Sequence, residues 1–63
     1  MLRISLKAAR VNAGLSQMQV AEVLGISNKT ICSWENGDTF PSAYYIDKLC
    51  KLYNVSYDDI IFL

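Results

Sequence analysis

Asn28, Lys29, Cys32, Ser33 and Asn36 carry the most readable chemistry in this 63-residue chain. On a helix, at about 100° per residue, they share one face while Ile31 and Trp34 turn to the other. That face is short, polar and nearly uncharged. Such side chains can hydrogen-bond to the edges of nucleic-acid bases, whereas a merely solvated helix face more often carries Glu and Lys pairs four residues apart. An ordinary amphipathic helix with a polar outside is the competing reading of the wheel.

The elements that would position this face can be read from the same stretch. Ser16 is followed three residues later by Gln19, a capping box that starts a helix at Gln17. Val20, Ala21 and Leu24 fall on one side of it, and Gly25 supplies a left-handed stop. Ile26 and Ser27 make the turn, Ser27 caps the second helix, and Asn36-Gly37 close it. Ala21 is small where two helices joined by so short a turn must cross closely.

Outside this unit, Ile4 to Ala13 reads as a first helix with Leu6, Ala9 and Ala13 on one side and Gly14 as its cap. A hydrophobic staple around a serine N-cap recurs as Leu15-Ser16 with Val20, Ile26-Ser27 with Ile31, Pro41-Ser42 with Ile46, and Val55-Ser56 with Ile60. These four starts plus the first helix predict five helices, with Asp58 and Asp59 at the positive end of the last. The expected core is Leu6, Val20, Ala21, Leu24, Ile31, Trp34, Ile46, Leu49, Val55 and Ile60.

Gln17, Ala21, Gly25, Ile31 and Trp34, followed by Glu35-Asn36-Gly37, resemble the lambda-repressor and Cro-like helix-turn-helix family, often called Xre-type. The likeness continues through Arg10 and Gly14-Leu15 before the motif and Pro41, Ile46, Leu49, Val55-Ser56 and Ile60 after it. It implies an all-α fold: a compact five-helix domain over residues 1–63, with the helix-turn-helix at 17–36 formed by helices two and three. It also implies a structural ion pair of Arg10 with Glu35, any phosphate contact by Arg10 being secondary.

Composition bounds the rest. One domain near the lower size limit for independent folding is expected, 52% hydrophobic and with a single proline, leaving no room for a separate sensor domain. No apolar run approaches a membrane span and Met1 to Arg10 has no signal-peptide pattern, so a cytoplasmic location is expected. Six basic and six acidic residues cancel, which is unhelpful for a nucleic-acid binder. The charges are nevertheless unevenly placed. Residues 1–31 hold Arg3, Lys7, Arg10 and Lys29 against Glu22, or +3, and residues 32–63 hold Lys48 and Lys51 against five acids, or −3. Cys32 and Cys50 lack the CxxC spacing and the histidines of a zinc site; both are expected as free thiols, Cys50 as a small core residue and Cys32 on the outward helix face.

The expectation is a sequence-specific regulator of bacterial or phage type, a repressor binding double-stranded DNA as a homodimer, with no cofactor, metal or small-molecule ligand and no enzyme activity. Asn28, Lys29 and Ser33 would read bases, with Ser27 at the edge. Gln17 would hold a phosphate with the amides of its helix terminus, assisted by Asn36 and by Lys29 or Lys7. The tail is more apolar than one short helix can bury, which assigns Tyr57, Ile61, Phe62 and Leu63 to a dimer contact. The loop Asp38-Thr39-Phe40-Pro41-Ser42 carries no cation where family members often have one. A protein-interaction module on the same fold is the alternative, favoured by the zero net charge.

Overall fold

Serine caps and left-handed stops divide the chain into its elements. The computed structural model describes residues 3–62. In order these are β1 (Ile4–Ser5), α1 (Leu6–Asn12), α2 (Gln17–Leu24), α3 (Asn28–Asn36), α4 (Ala43–Tyr53), a 3₁₀ turn (Tyr57–Asp59) and β2 (Ile60–Ile61). Ser5, Ser16 and Ser27 each accept the amide three residues on, at 3.1, 3.1 and 3.2 Å. Ser42 occupies the same position before α4 without a side-chain cap bond.

Each helix also ends the same way. Gly14, Gly25, Gly37 and Asn54 lie in the left-handed region, and the next residue's amide reaches back five residues, as from Ile26 to Ala21 at 3.0 Å and from Val55 to Cys50 at 3.0 Å. In three of the four closures the residue after the stop is aliphatic (Leu15, Ile26, Val55) and packs on the core, and the serine after it opens the next element. One three-residue unit thus ends one element and starts another. At Gly25, with φ +70, a side chain would meet no neighbouring atom, so only backbone strain opposes substitution.

The core gathers Leu6, Ala9, Val20, Ala21, Ile31, Leu49, Tyr53 and Ile60, with Leu24, Trp34, Val55, Cys50 and Phe62 half-buried against it. Tyr53 was absent from the expected core. Ala13 is exposed, not inward-facing. Ile46 also departs from expectation, since it borders an open groove of about 500 Å³ between α4 and Val55–Tyr57 instead of joining the cluster. Among the described residues, no helix is long and apolar enough to cross a membrane.

Two further differences share a cause. The first helix begins at Leu6, not Ile4, and the expected fifth helix is a three-residue 3₁₀ turn, so four α-helices stand where five were expected. Ile60 leaves the turn in an extended conformation and pairs in parallel with Ile4, as Ile61 does with Ser5. The Ile4–Ser5 and Ile60–Ile61 segments therefore satisfy each other's backbone groups. The β-branched side chains of Ile60 and Ile61 favour an extended backbone, and pairing with Ile4 and Ser5 gives that backbone partners. With the tail drawn away to β1, nothing of a fifth helix remains to cover Ile46.

Candidate nucleic-acid interface

The outward face of α3 can act only if the helix is held in one orientation, and four contacts hold it. Ile31 is fully buried. The Trp34 ring packs on Tyr45 of α4 at 5.5 Å, and Tyr45 meets Tyr44 edge-on at 5.1 Å. Such aromatic pairs contribute about 1 kcal/mol each beyond area burial. The Lys48 ammonium lies 4.9 Å over the Tyr44 ring.

The third contact is a polar network across α1, α2 and α3. Arg10 Nε donates to Glu35 Oε2 at 2.7 Å and its Nη2 to Oε1 at 3.3 Å, while Nη1 donates to the Leu15 carbonyl at 2.8 Å. The Gln17 side-chain amide donates to Glu35 Oε1 at 2.9 Å. Arg10 and Glu35 side chains are only 11% and 4% exposed. The bond to Glu35 is the main reason the Arg10 guanidinium pKa is raised, outweighing the desolvation that would lower it. Beside this pair the buried Tyr53 phenol is pushed up to about 12, chiefly by desolvation and then by Glu35.

The fourth contact is a bond of 2.9 Å between Ser33 Oγ and Thr39 Oγ1, tying α3 to the loop that follows it. Thr39 was not singled out from the sequence, and only its hydroxyl chemistry could have suggested it.

The predicted site residues separate accordingly. Asn28 and Lys29 are exposed, and no hydrogen bond among the described residues engages their side chains. Ser27 is exposed but its hydroxyl caps α3 and meets Thr30 Oγ1 at 2.9 Å. Asn36 is exposed and donates to Cys32 Sγ at 3.4 Å. Gln17 is half-exposed, with one of its two amide protons directed to Glu35 and the other not engaged among the described residues. Lys7 stands exposed on α1, without ion pair or hydrogen bond to this set.

Arg10 is a correction. Three of its nitrogens are engaged internally and the group is nearly buried, so it cannot reach a phosphate. The tail needs one as well. Phe62 folds back half-buried on its own core, 6.0 Å from the Tyr57 ring, which leaves Tyr57 and Ile61 as the exposed part of the expected dimer contact. Leu63 lies outside the described residues.

Among the described residues, the cations outside ion pairs are Arg3, Lys7, Lys29 and Lys48. Both cysteines are free thiols, and burial, then Asp47, raises the pKa of Cys50.

Comparison with known proteins adds an independent line. A family model described as helix-turn-helix matches residues 6–60. The chain is 36% identical over 61 residues to the antitoxin PezA of Streptococcus pneumoniae serotype 4, covering 97% of this chain and 39% of that protein. It is 39% identical over 56 residues to the HTH-type transcriptional regulator ImmR of Bacillus subtilis, covering 89% of this chain and 44% of ImmR. With the uncharacterized HTH-type transcriptional regulator YgzD of the same species it shares 29% over 62 residues, 98% of this chain and 94% of YgzD. The chain thus spans less than half of PezA and of ImmR but nearly all of YgzD. No solved structure matches it.

Proposed function

The chain belongs to the Xre-type helix-turn-helix family of DNA-binding transcription regulators, and we propose on that premise that it is a cytoplasmic repressor of bacterial or phage type that binds a two-fold symmetric operator as a dimer. In this reading residues 1–63 act as one DNA-binding domain. α3 enters the major groove, where Asn28, Lys29 and Ser33 read base edges and Ser27 lies at the margin. Gln17, with its remaining amide proton and the first amides of α2, holds a phosphate, and Asn36 and Lys7 assist. The observation that carries the reading is the exposed, unengaged polar pair Asn28 and Lys29 on a helix whose opposite face is fixed by Ile31, Trp34 and Glu35.

Few cations mean few neutralised phosphates for one domain, so tight binding needs two domains about one helical turn, roughly 34 Å, apart. Tyr57 and Ile61 give the apolar surface for that pairing. Replacing both with lysine leaves the fold helical and converts cooperative binding of the full site into weak half-site binding, as sedimentation and gel-shift titration would show. Unchanged dimerisation would move the interface elsewhere.

Selection from random duplex DNA tests the main reading, with an enriched symmetric site as the expected outcome. A protein-binding role is the second reading, favoured by the zero net charge, the open groove beside Ile46 and the likeness to an antitoxin. Absence of any enrichment at low salt would leave that second reading in possession.

A further inference from the structure

We infer that Thr39 is a positioning residue for base reading, which sets the Ser33 hydroxyl as a hydrogen-bond acceptor toward DNA. The inference rests on the proposed function, since it names what one residue of that interface recognises.

Ser33 lies one turn beyond Lys29 on the same stripe of α3, and its oxygen is 2.9 Å from Thr39 Oγ1. Geometry alone allows either hydroxyl to donate. A hydroxyl has one proton and two lone pairs, so a free serine can rotate to meet a donor or an acceptor and discriminates poorly. The Ser33–Thr39 bond removes that freedom only if its direction is fixed. Thr39 is exposed in the loop that leaves α3, where the chain offers no cation to a phosphate: Asp38 precedes it and Phe40 follows. In the proposed complex the DNA backbone passes this loop, and we take a phosphate there, not the adjacent Asp38 carboxylate, as the acceptor of the Thr39 proton, which it draws in preference to a neutral oxygen. Thr39 must then accept from Ser33. With its proton directed to Thr39, Ser33 presents lone pairs alone to the groove, and the edges that complement them are the amino groups of adenine N6 and cytosine N4, not the carbonyls of guanine or thymine.

The hydroxyl relay thus makes a backbone contact govern a base preference. A purely structural Thr39, holding the loop against α3, would affect all sequences equally.

The test uses the full chain with four versions: unchanged, Ser33→Ala, Thr39→Val and Thr39→Ser. Each is put through selection from random duplex DNA, followed by titration of the enriched site with every base at each position. The unchanged protein is expected to prefer adenine or cytosine over guanine or thymine at one position by about tenfold, the size of one good hydrogen bond. Ser33→Ala and Thr39→Val should both bring that position close to parity and leave the other positions alone, while Thr39→Ser, which keeps the hydroxyl, retains the preference. A Thr39→Val protein with an unchanged profile and uniformly weaker binding would overturn the inference, as would a Ser33→Ala protein with an unchanged profile. An unchanged protein that enriches no site would remove the DNA reading itself and this inference with it, and that result is visible before any variant is examined.

Discussion

The two ion pairs found among the described residues use the same chemistry in opposite surroundings. Arg10 and Glu35 join α1 to α3 almost out of solvent, 11% and 4% exposed, with the Leu15 carbonyl accepting from Arg10 and the Gln17 amide donating to Glu35. Lys51 and Asp47 meet at 3.0 Å, four residues apart on α4, with 77% and 64% of their side chains exposed. In water the second pair gains little, because screening and side-chain entropy offset the attraction. The first pair cannot be judged by its attraction alone, since taking both charges out of water also costs free energy. What it provides is consequence: break it and a charge is stranded. Polar contacts therefore fix the angle of α3 at the front of the molecule, while on α4 similar contacts decorate a helix that apolar packing already holds.

The largest expected effect breaks the front pair. Glu35→Ala leaves the Arg10 guanidinium nearly buried without its partner and should cost about 3–5 kcal/mol, enough to unfold much of so small a domain. Urea unfolding of Arg10→Ala, Glu35→Ala and the double variant measures it, and a cycle showing no coupling would remove the pair from the account of stability.

Next comes the phenol beside that pair. Tyr53 has an ordinary pKa of 10.0 and is held at about 12 in the folded protein. Its neutral form is the one the fold favours, so the contribution is complete below about pH 10 and is lost as pH rises toward 12. Two pH units correspond to roughly 2–3 kcal/mol. Tyr53→Phe should flatten the alkaline limb of stability against pH, and an identical limb in both proteins would argue against the assignment.

A third experiment concerns what the front pair is for. With α3 fixed, Asn28→Ala should relax preference at one base position at a cost of about 1–3 kcal/mol, whereas Lys29→Ala, if it meets a phosphate, weakens all sequences alike and lowers the salt slope by about one. Binding that survives loss of Asn28, Lys29 and Ser33 together would take α3 out of the interface. The smallest effect belongs to α4, where a double-mutant cycle on Asp47 and Lys51 should give no more than about 0.5 kcal/mol of coupling. A value near that of Arg10 and Glu35 would erase the contrast.

Much of the interface could be read in advance for a reason particular to its residues. Gln17–Leu24 and Asn28–Asn36 are bounded by Ser16, Gly25, Ser27 and Gly37, whose cap bonds reach no more than five residues along the chain. Asn28 and Lys29 are exposed as the wheel requires, since Ile31 fixes which side turns inward. Thr39 was hidden because its role depends on a loop's path, and Tyr53 because tyrosine is as often a surface residue as a buried one.

Local contacts are determined by the sequence alone, so the serine starts, the left-handed stops and the polar side of α3 belong to it. Competition between distant partners is decided only in three dimensions. Arg10 could have faced a phosphate, but Glu35 and the Leu15 carbonyl engage it first, and Ile60 and Ile61 could have continued as a helix, but β1 offers them backbone partners in an extended form. Both outcomes turn on which donor meets which acceptor once chain segments far apart in sequence are packed together, and a local pattern carries no record of the partner it did not choose.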